Sequence, residues 1–357
     1  MNHRFTKCVL HIGTEKTGTT TLQHFFDVNR AALIEKGYFV PKSLAPHSGL
    51  ANHERLTTYA LRNEKLDDDL RVSAGIRSAE HVERHRANVE RDLREEVASI
   101  ASDVATLLLS NEHCHSRLVE PDEVTRLKEF LNSFADTFEV IIYIRPQHEL
   151  ATSLYDQALK VGYFDIDVLP FADTARKLWV DRRYFEYDSL VNLWSTVFGD
   201  DNLKVRLFDR RRLLNQNIVS DFLRLVGITP NGMYHVADQN RSIGSTLQHA
   251  LNAINRFENQ NPGSIGPELR EKLITVFGQD ALEASIKPAR KDAMRFLQQF
   301  DEGNEYVRQK FFPERTNLFD PDFSLLPSEQ SPRVPDQEAL VKALVHILTT
   351  GTSHHAS

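Results

Sequence analysis

Two cysteines in 357 residues rule out a disulfide scaffold and fit a reducing compartment. They stand far apart, at Cys8 and Cys114, and neither a CxxC nor an HExxH pattern occurs. His11, His113 and His115 form no metal-ligand spacing, so no metal requirement is expected. No apolar run reaches the roughly 18 residues that a membrane-spanning helix needs. Met1 to Lys7 lead into the first apolar run without a secretory hydrophobic stretch, so a cytoplasmic location is expected. Basic surplus is lacking as well: a formal net charge of −7 disfavours nucleic acid as the main partner. There is no internal repeat. A chain of this length still buries a sizeable core, as one large α/β domain or two smaller ones.

The chain's most telling segment lies near its start. Cys8-Val9-Leu10-His11-Ile12 is an apolar run that reads as a buried strand. Gly13-Thr14-Glu15-Lys16-Thr17-Gly18 follows, with two glycines five residues apart that permit a tight turn with inward-pointing amides. Thr19 and Thr20 then open an amphipathic stretch with Leu22, Phe25, Phe26, Ala32 and Leu33 on one face and Gly37 as its stop. Strand, glycine-bracketed loop and helix N-terminus make an anion site. A nucleoside-triphosphate loop would place lysine directly after the second glycine. Here Thr19 holds that position and Lys16 sits inside the loop.

A second constellation lies farther on. Phe138-Glu139-Val140-Ile141-Ile142-Tyr143-Ile144 has the composition of a central strand. It ends in Arg145-Pro146, and Ser153 follows Arg145 by eight positions on the next helix. Pro146 suits that helix's first turn. Arginine suits phosphate because its planar fork grips two oxygens at once. Between the two motifs, Val104 to Ser110 reads as another buried strand, with Asn111, Glu112, His113 and His115 at its carboxyl end. In open α/β sheets ligands bind at that end.

Lys16-Thr17-Gly18-Thr19-Thr20, Arg145 and Ser153 together resemble the sulfotransferase family, whose donor is 3′-phosphoadenosine-5′-phosphosulfate. The resemblance spans about residues 5–320, but its specific motifs are confined to the two phosphate sites. It implies an α/β fold with a mainly parallel sheet flanked by helices, of the P-loop type. It further implies that Gly13, Thr14, Lys16, Thr17, Gly18, Thr19 and Thr20 hold the 5′-phosphosulfate, and that Arg145 and Ser153 hold the 3′-phosphate. Lys16 would meet the bridging oxygen of the leaving group, adenosine 3′,5′-bisphosphate. Members of the family carry a catalytic base on the strand between the two motifs, here Glu112 or His113, with His115 as a further candidate. Adjacent residues on an extended segment point opposite ways, so only one of the first two is expected to face the acceptor.

Weaker features agree. Leu203 to Phe208 reads as a strand, followed by a helix with Leu213, Leu214, Ile218, Phe222, Leu225 and Val226 that stops at Gly227. Asn240-Arg241-Ser242 fits an asparagine–x–serine segment of bacterial relatives, and Arg241 could add a 3′-phosphate contact. No R-K-G signature of the cytosolic vertebrate branch occurs. His47 and His53, in a polar cluster after Tyr38-Phe39-Val40, would suit the acceptor pocket, as would His115.

In organisation, residues 1–320 read as one domain and 321–357 as a loose extension with a short helix at 337–348. Val82, Val89, Leu93, Val97 and Ile100 mark a helical insertion within 54–102, and the C-terminal half reads as mostly helical. Residues 162–187 interleave aromatics and bases, which suits either a lid or a hydrophobic cap. The expected partners are the nucleotide donor and a hydroxyl-bearing acceptor: a carbohydrate, a glycolipid or a small alcohol. Two other classes stay open, an atypical P-loop kinase or NTPase that binds ATP–Mg²⁺, and a nucleotide-binding module without catalysis.

Overall fold

Five apolar segments of the chain find one another in a single all-parallel sheet of order β2-β3-β1-β4-β5. The computed structural model describes residues 3–45, 51–171, 179–237, 243–264, 271–272, 274–275 and 285–329. The strands are β1 (Phe5–His11), β2 (Tyr38–Phe39), β3 (Thr106–Ser110), β4 (Ala135–Ile144) and β5 (Leu203–Leu207). Strand β1 is central, with Leu10 opposite Leu109 of β3 and Val140 of β4. Both faces of a parallel sheet are covered, which is why β1, β3 and β4 read as continuous apolar runs rather than alternating ones. The expected α/β class with a mainly parallel sheet is what the chain forms.

One face packs against α1 (Thr19–Val28) and α10 (Ile218–Val226), where Val9, Leu108, Ile141 and Tyr143 meet Leu22, Phe25, Phe26, Val219 and Phe222. Residues of opposite parity turn the other way. There Phe138 meets Phe198 of α9 (Tyr187–Phe198), at 5.5 Å between ring centroids. α7 (Pro121–Asn132) packs against both β4 and α9.

The expected single helical stretch to Gly37 is broken. α1 ends at Val28 and α2 (Arg30–Glu35) begins after Asn29. The buried Asn29 side chain donates to the carbonyls of Phe25 and Tyr234 and accepts from the Tyr234 amide, a set of bonds that breaks the run. Similarly, the helix expected from Leu213 starts only at Ile218. Asn217 caps it by accepting from Ser220, and a short 3₁₀ turn with Asn215 and Gln216 at positive φ precedes it.

Between β2 and β3 the chain runs through α3 (Glu54–Ala60), α4 (Asp69–Ser73) and α5 (Ala79–Ala98). Val82, Val89, Leu93 and Val97 form the buried stripe of α5, as their spacing indicates, and Ser78 caps it. Arg71 of α4 is fully buried, and its guanidinium donates to the carbonyls of Thr58, Leu61, Arg62 and Lys65.

The chain packs as two compact units: Met1–Arg145 with Glu186–Asn240 and Tyr306–Thr316, and Pro146–Phe185 with Arg241–Glu305 and Asn317–Ser357. The second holds α8 (Gln147–Lys160), α11 (Ser245–Gln260) and α12 (Arg290–Gln298). Its core joins Tyr155 and Leu159 of α8 to Leu247 and Leu251 of α11. The buried face of α11, with Leu247 and Leu251, stops short of Phe257, which is 51% exposed. Asn255 is buried instead and donates to the carbonyls of Leu159 and Tyr163. Within 162–187, Phe171 and Phe185 pack on Phe296, the pattern of a hydrophobic cap. Among the described residues no helix is long and apolar enough to cross a membrane. The expected helix at 337–348 lies outside the described residues.

Candidate functional site

The loop after β1 does not leave the sheet at once. The Ile12 amide donates to the Ile141 carbonyl, the Tyr143 amide to the Gly13 carbonyl, and the Thr14 amide to the Tyr143 carbonyl at 2.8 Å. The Thr14 hydroxyl donates to that same carbonyl at 3.0 Å. Thr17 is also buried and donates through its hydroxyl to the Thr14 carbonyl at 2.6 Å. Both hydroxyls therefore shape the loop from inside. Their hydroxyl protons are engaged with backbone carbonyls.

Two glycines make the turn possible, each for two reasons. Gly13 has φ +97°, and a Cβ there would lie 3.2 Å from Cα and Cβ of Glu112. Gly18 has φ +84°, and its Cβ would lie 3.1 Å from Cγ2 of Ile218. Lys16, between them, holds φ 63° without being glycine. Gly18 precedes Thr19 and Thr20 at the start of α1, where no side chain caps the helix and no acidic residue enters the first turn. That helix end presents backbone amides and the positive end of its dipole.

Arg145 stands directly after β4 and reaches this loop. Its Nη1 donates to the Lys16 carbonyl at 3.0 Å, and its guanidinium lies 5.6 Å from the centre of the Phe208 ring. The Tyr187 hydroxyl anchors the Arg145 carbonyl at 2.7 Å. The loop lysine and the strand-end arginine thus belong to one locality of the first unit. Ser153 lies half-buried on α8, in the second unit.

Glu112 and His113 are not on an extended segment, as the alternation argument assumed. Glu112 has helical dihedrals (φ −68°, ψ −21°) and precedes α6 (His113–Arg117). Consecutive side chains then lie about 100° apart rather than opposed, and both meet the loop. Glu112 packs against Gly13, and its carboxylate accepts from the amide of buried Gln23. His113 Nδ1 lies 3.5 Å from Glu15 Oε1. Its backbone amide donates to Asn111 Oδ1 at 2.9 Å. Burial raises the Glu112 pKa, against the opposing pull of the His113 charge and the hydrogen bonds. Burial alone would lower His113, but the Glu15 hydrogen bond and the Glu112 and Glu15 charges outweigh it and raise its pKa.

His53 is corrected. It is fully buried, accepts at Nδ1 from the Ser110 amide at 2.9 Å, and meets the Pro41 carbonyl at Nε2 at 3.0 Å. Neither ring nitrogen is left for an acceptor substrate. Burial first, with the Arg30 charge, lowers its pKa to about 3. His115 is only 5% exposed on α6, which leaves it little surface to offer an acceptor. His47 and Arg241 lie outside the described residues.

Sequence reasoning missed Glu15, Gln23 and His11. Glu15 is the acidic member of the loop. Gln23 is a polar residue on the buried side of α1, a signal visible beside Leu22, Phe25 and Phe26. His11 Nδ1 pairs with Ser110 Oγ at 2.9 Å, and burial lowers its pKa to about 3. The arrangement gathers the amide-bearing start of α1, the Arg145 guanidinium, and the Glu112 and His113 side chains around one loop.

No protein-family model matches the chain. Among curated proteins it is similar to an uncharacterized protein of Archaeoglobus fulgidus, 26% identical over 196 residues, or 54% of this chain and 50% of that one. The chain thus spans about half the length of the curated relative it matches. Among solved structures it is similar to a sulfotransferase from Alicyclobacillus acidocaldarius, with 15% identity and a TM-score of 0.39, over 72% of this chain and 95% of that one.

Proposed function

We propose that this chain is a sulfotransferase that moves a sulfuryl group from 3′-phosphoadenosine-5′-phosphosulfate to an acceptor hydroxyl. One observation supports the reading: Arg145 Nη1 bonds the carbonyl of Lys16, which brings the strand-end arginine against the glycine-bracketed loop. In this reading the loop amides, Gly18, Thr19 and Thr20 hold the 5′-phosphate, and Arg145 holds the 3′-phosphate. Lys16 faces the growing charge of the leaving group. No lysine follows Gly18, which disfavours a triphosphate substrate.

The acceptor oxygen attacks sulfur, in line with the bridging S–O bond. The new S–O bond forms as the old one breaks, and the electron pair leaves with adenosine 3′,5′-bisphosphate. Lys16 neutralises that charge; fixed donors of this kind are worth about 3–4 kcal/mol each when removed. Glu112 or His113 takes the hydroxyl proton, an effect of about 10²–10⁴-fold. A sulfuryl group carries less negative charge than a terminal phosphoryl, so its transfer does not demand a divalent clamp.

Thermal shift with adenosine 3′,5′-bisphosphate, ADP and ATP–Mg²⁺ tests the donor. The bisphosphate should stabilise the chain most, and Lys16→Ala should abolish transfer. Preference for ATP–Mg²⁺ would return the chain to the kinase or NTPase class. Bisphosphate binding that survives with no sulfuryl transfer to any hydroxyl would mark a binding module.

A further inference from the structure

Two proton acceptors sit side by side at the loop, and the surroundings treat them differently. Glu112 is held close to the loop: its Cα and Cβ leave no room for a side chain at Gly13, and Gln23 donates to its carboxylate. Gln23 is itself 1% exposed and reaches toward Ser110 Oγ at 3.5 Å, so the amide has little freedom to release Glu112. His113 instead faces a carboxylate that belongs to the loop. Glu15 Oε1 stands 3.5 Å from Nδ1, and the two side chains are 21% and 22% exposed. That distance is long for a hydrogen bond, as contacts around catalytic groups often are before substrate binds. Glu15 is also the residue before Lys16, whose carbonyl receives Arg145.

We propose that Glu15 is a positioning residue for His113: from its place in the phosphate loop its carboxylate holds Nδ1–H and leaves Nε2 as the nitrogen that takes the acceptor's proton. This rests on the sulfuryl-transfer reading above and selects between its two bases. A carboxylate at Nδ1 favours the tautomer with its proton there, which puts the lone pair on Nε2. It also stabilises the imidazolium that forms once the hydroxyl proton has moved to Nε2 as the S–O bond is made. The charged groups acting on the ring are Glu15 from the loop, Glu112 before α6 and Arg117 at its end, the last opposing the two carboxylates. Glu112 then serves as a fixed acceptor of the Gln23 hydrogen bond beneath the loop. The loop that holds the donor thereby also sets the base.

The test uses the full chain and its variants E15Q, E15D, E112Q and H113A. The His113 imidazole is titrated by NMR, with H113A to assign its signal. In parallel, the pH profile of sulfate release from 3′-phosphoadenosine-5′-phosphosulfate is measured with water as acceptor. E15Q should lower the His113 pKa and move the acid limb of the rate profile to lower pH by the same amount. Its plateau should fall by about tenfold or more, since orientation is lost, and E15D should restore part of it. Affinity for adenosine 3′,5′-bisphosphate should not weaken, because E15Q removes an anion beside an anion site. An unmoved His113 titration in E15Q overturns the proposal whatever the turnover. So does an acid limb that survives in H113A. If the wild type fails to bind the bisphosphate in calorimetry, the sulfuryl-transfer reading fails instead, while the NMR titration still decides whether Glu15 holds His113.

Discussion

Arg145 and Lys16, 129 positions apart, are joined by a hydrogen bond of 3.0 Å from the arginine's Nη1 to the lysine's carbonyl. The bond exists because β1 and β4 are neighbours, with His11 opposite Ile141, and each segment runs on past its strand end. It pins the loop at Lys16, which takes a left-handed backbone (φ 63°) without being glycine. For an L-residue that conformation costs roughly 1–2 kcal/mol, and a charge-assisted hydrogen bond of about 1.5–3 kcal/mol is enough to offset it.

Arg145→Lys should therefore fail to restore what Arg145→Ala loses. Lysine keeps the charge but not the planar fork that can bond the loop and a phosphate together. Calorimetry with adenosine 3′,5′-bisphosphate should show both variants weakened by about tenfold to a hundredfold, the equivalent of roughly 1.5–3 kcal/mol. Near-native affinity in Arg145→Lys would mean that only charge matters.

Gly13→Ala combines a positive φ with a Cβ 3.2 Å from the backbone and Cβ of Glu112. Backbone atoms cannot swing aside as a side-chain tip can. Urea denaturation should show a loss of about 2–3 kcal/mol, from the left-handed backbone and overpacking together. Gly18→Ala meets Cγ2 of Ile218, so Ile218→Ala, which removes that methyl, should cost less in the Gly18→Ala background than alone, with no such coupling to Gly13→Ala.

Arg71 offers a stability test away from the site. Its guanidinium satisfies the carbonyls of Thr58, Leu61, Arg62 and Lys65, and although burial lowers its pKa to about 10 it stays charged at neutral pH. Arg71→Met should destabilise by about 3 kcal/mol or more, because unpaired buried carbonyls lose about 1–3 kcal/mol each. Arg71→Lys should rescue only part, having fewer donors to spread over four acceptors. Equal stability of Arg71→Met and wild type would remove the clamp from the account.

Acid should weaken the fold before it protonates most carboxylates. Buried His11 and His53 have folded pKa values near 3, below the ordinary 6.5. Between those values the unfolded chain binds the extra protons, so stability is present above about pH 6.5 and is lost as pH falls toward 3. Each histidine contributes a slope of about 1.4 kcal/mol per pH unit in that window. His113, shifted upward, works in the opposite sense and loses its contribution as pH rises. Denaturation at pH 7 and pH 5 should show the more acidic sample clearly weaker. His53→Gln should flatten the dependence, whereas an unchanged slope would show that His53 is not neutral in the fold.

Strands β1, β3 and β4 were legible because a strand buried on both faces is apolar along its whole length. Gly13, Gly18 and Arg145 were legible because each has a residue type that its position demands. What escaped depended on partners remote in sequence. Asn29 breaks a helix through Tyr234, and His53 is spent on Ser110 and Pro41. Glu15 acquires a role only beside His113. The alternation rule misjudged Glu112 and His113 because the chain curls into α6 one residue earlier than a strand reading allows.

Local chemistry, written in residue order, was enough to specify a buried parallel sheet, a glycine-hinged loop before a helix and an arginine at a strand end. Such features need only nearest neighbours and backbone freedom. Packing alone decided that Lys16 and Arg145 touch, that the Thr14 and Thr17 hydroxyls turn inward, and that a glutamate of the loop meets a histidine 98 positions later. Those outcomes follow from which strands lie side by side, a choice made by the burial of the whole chain and not by any one stretch of it.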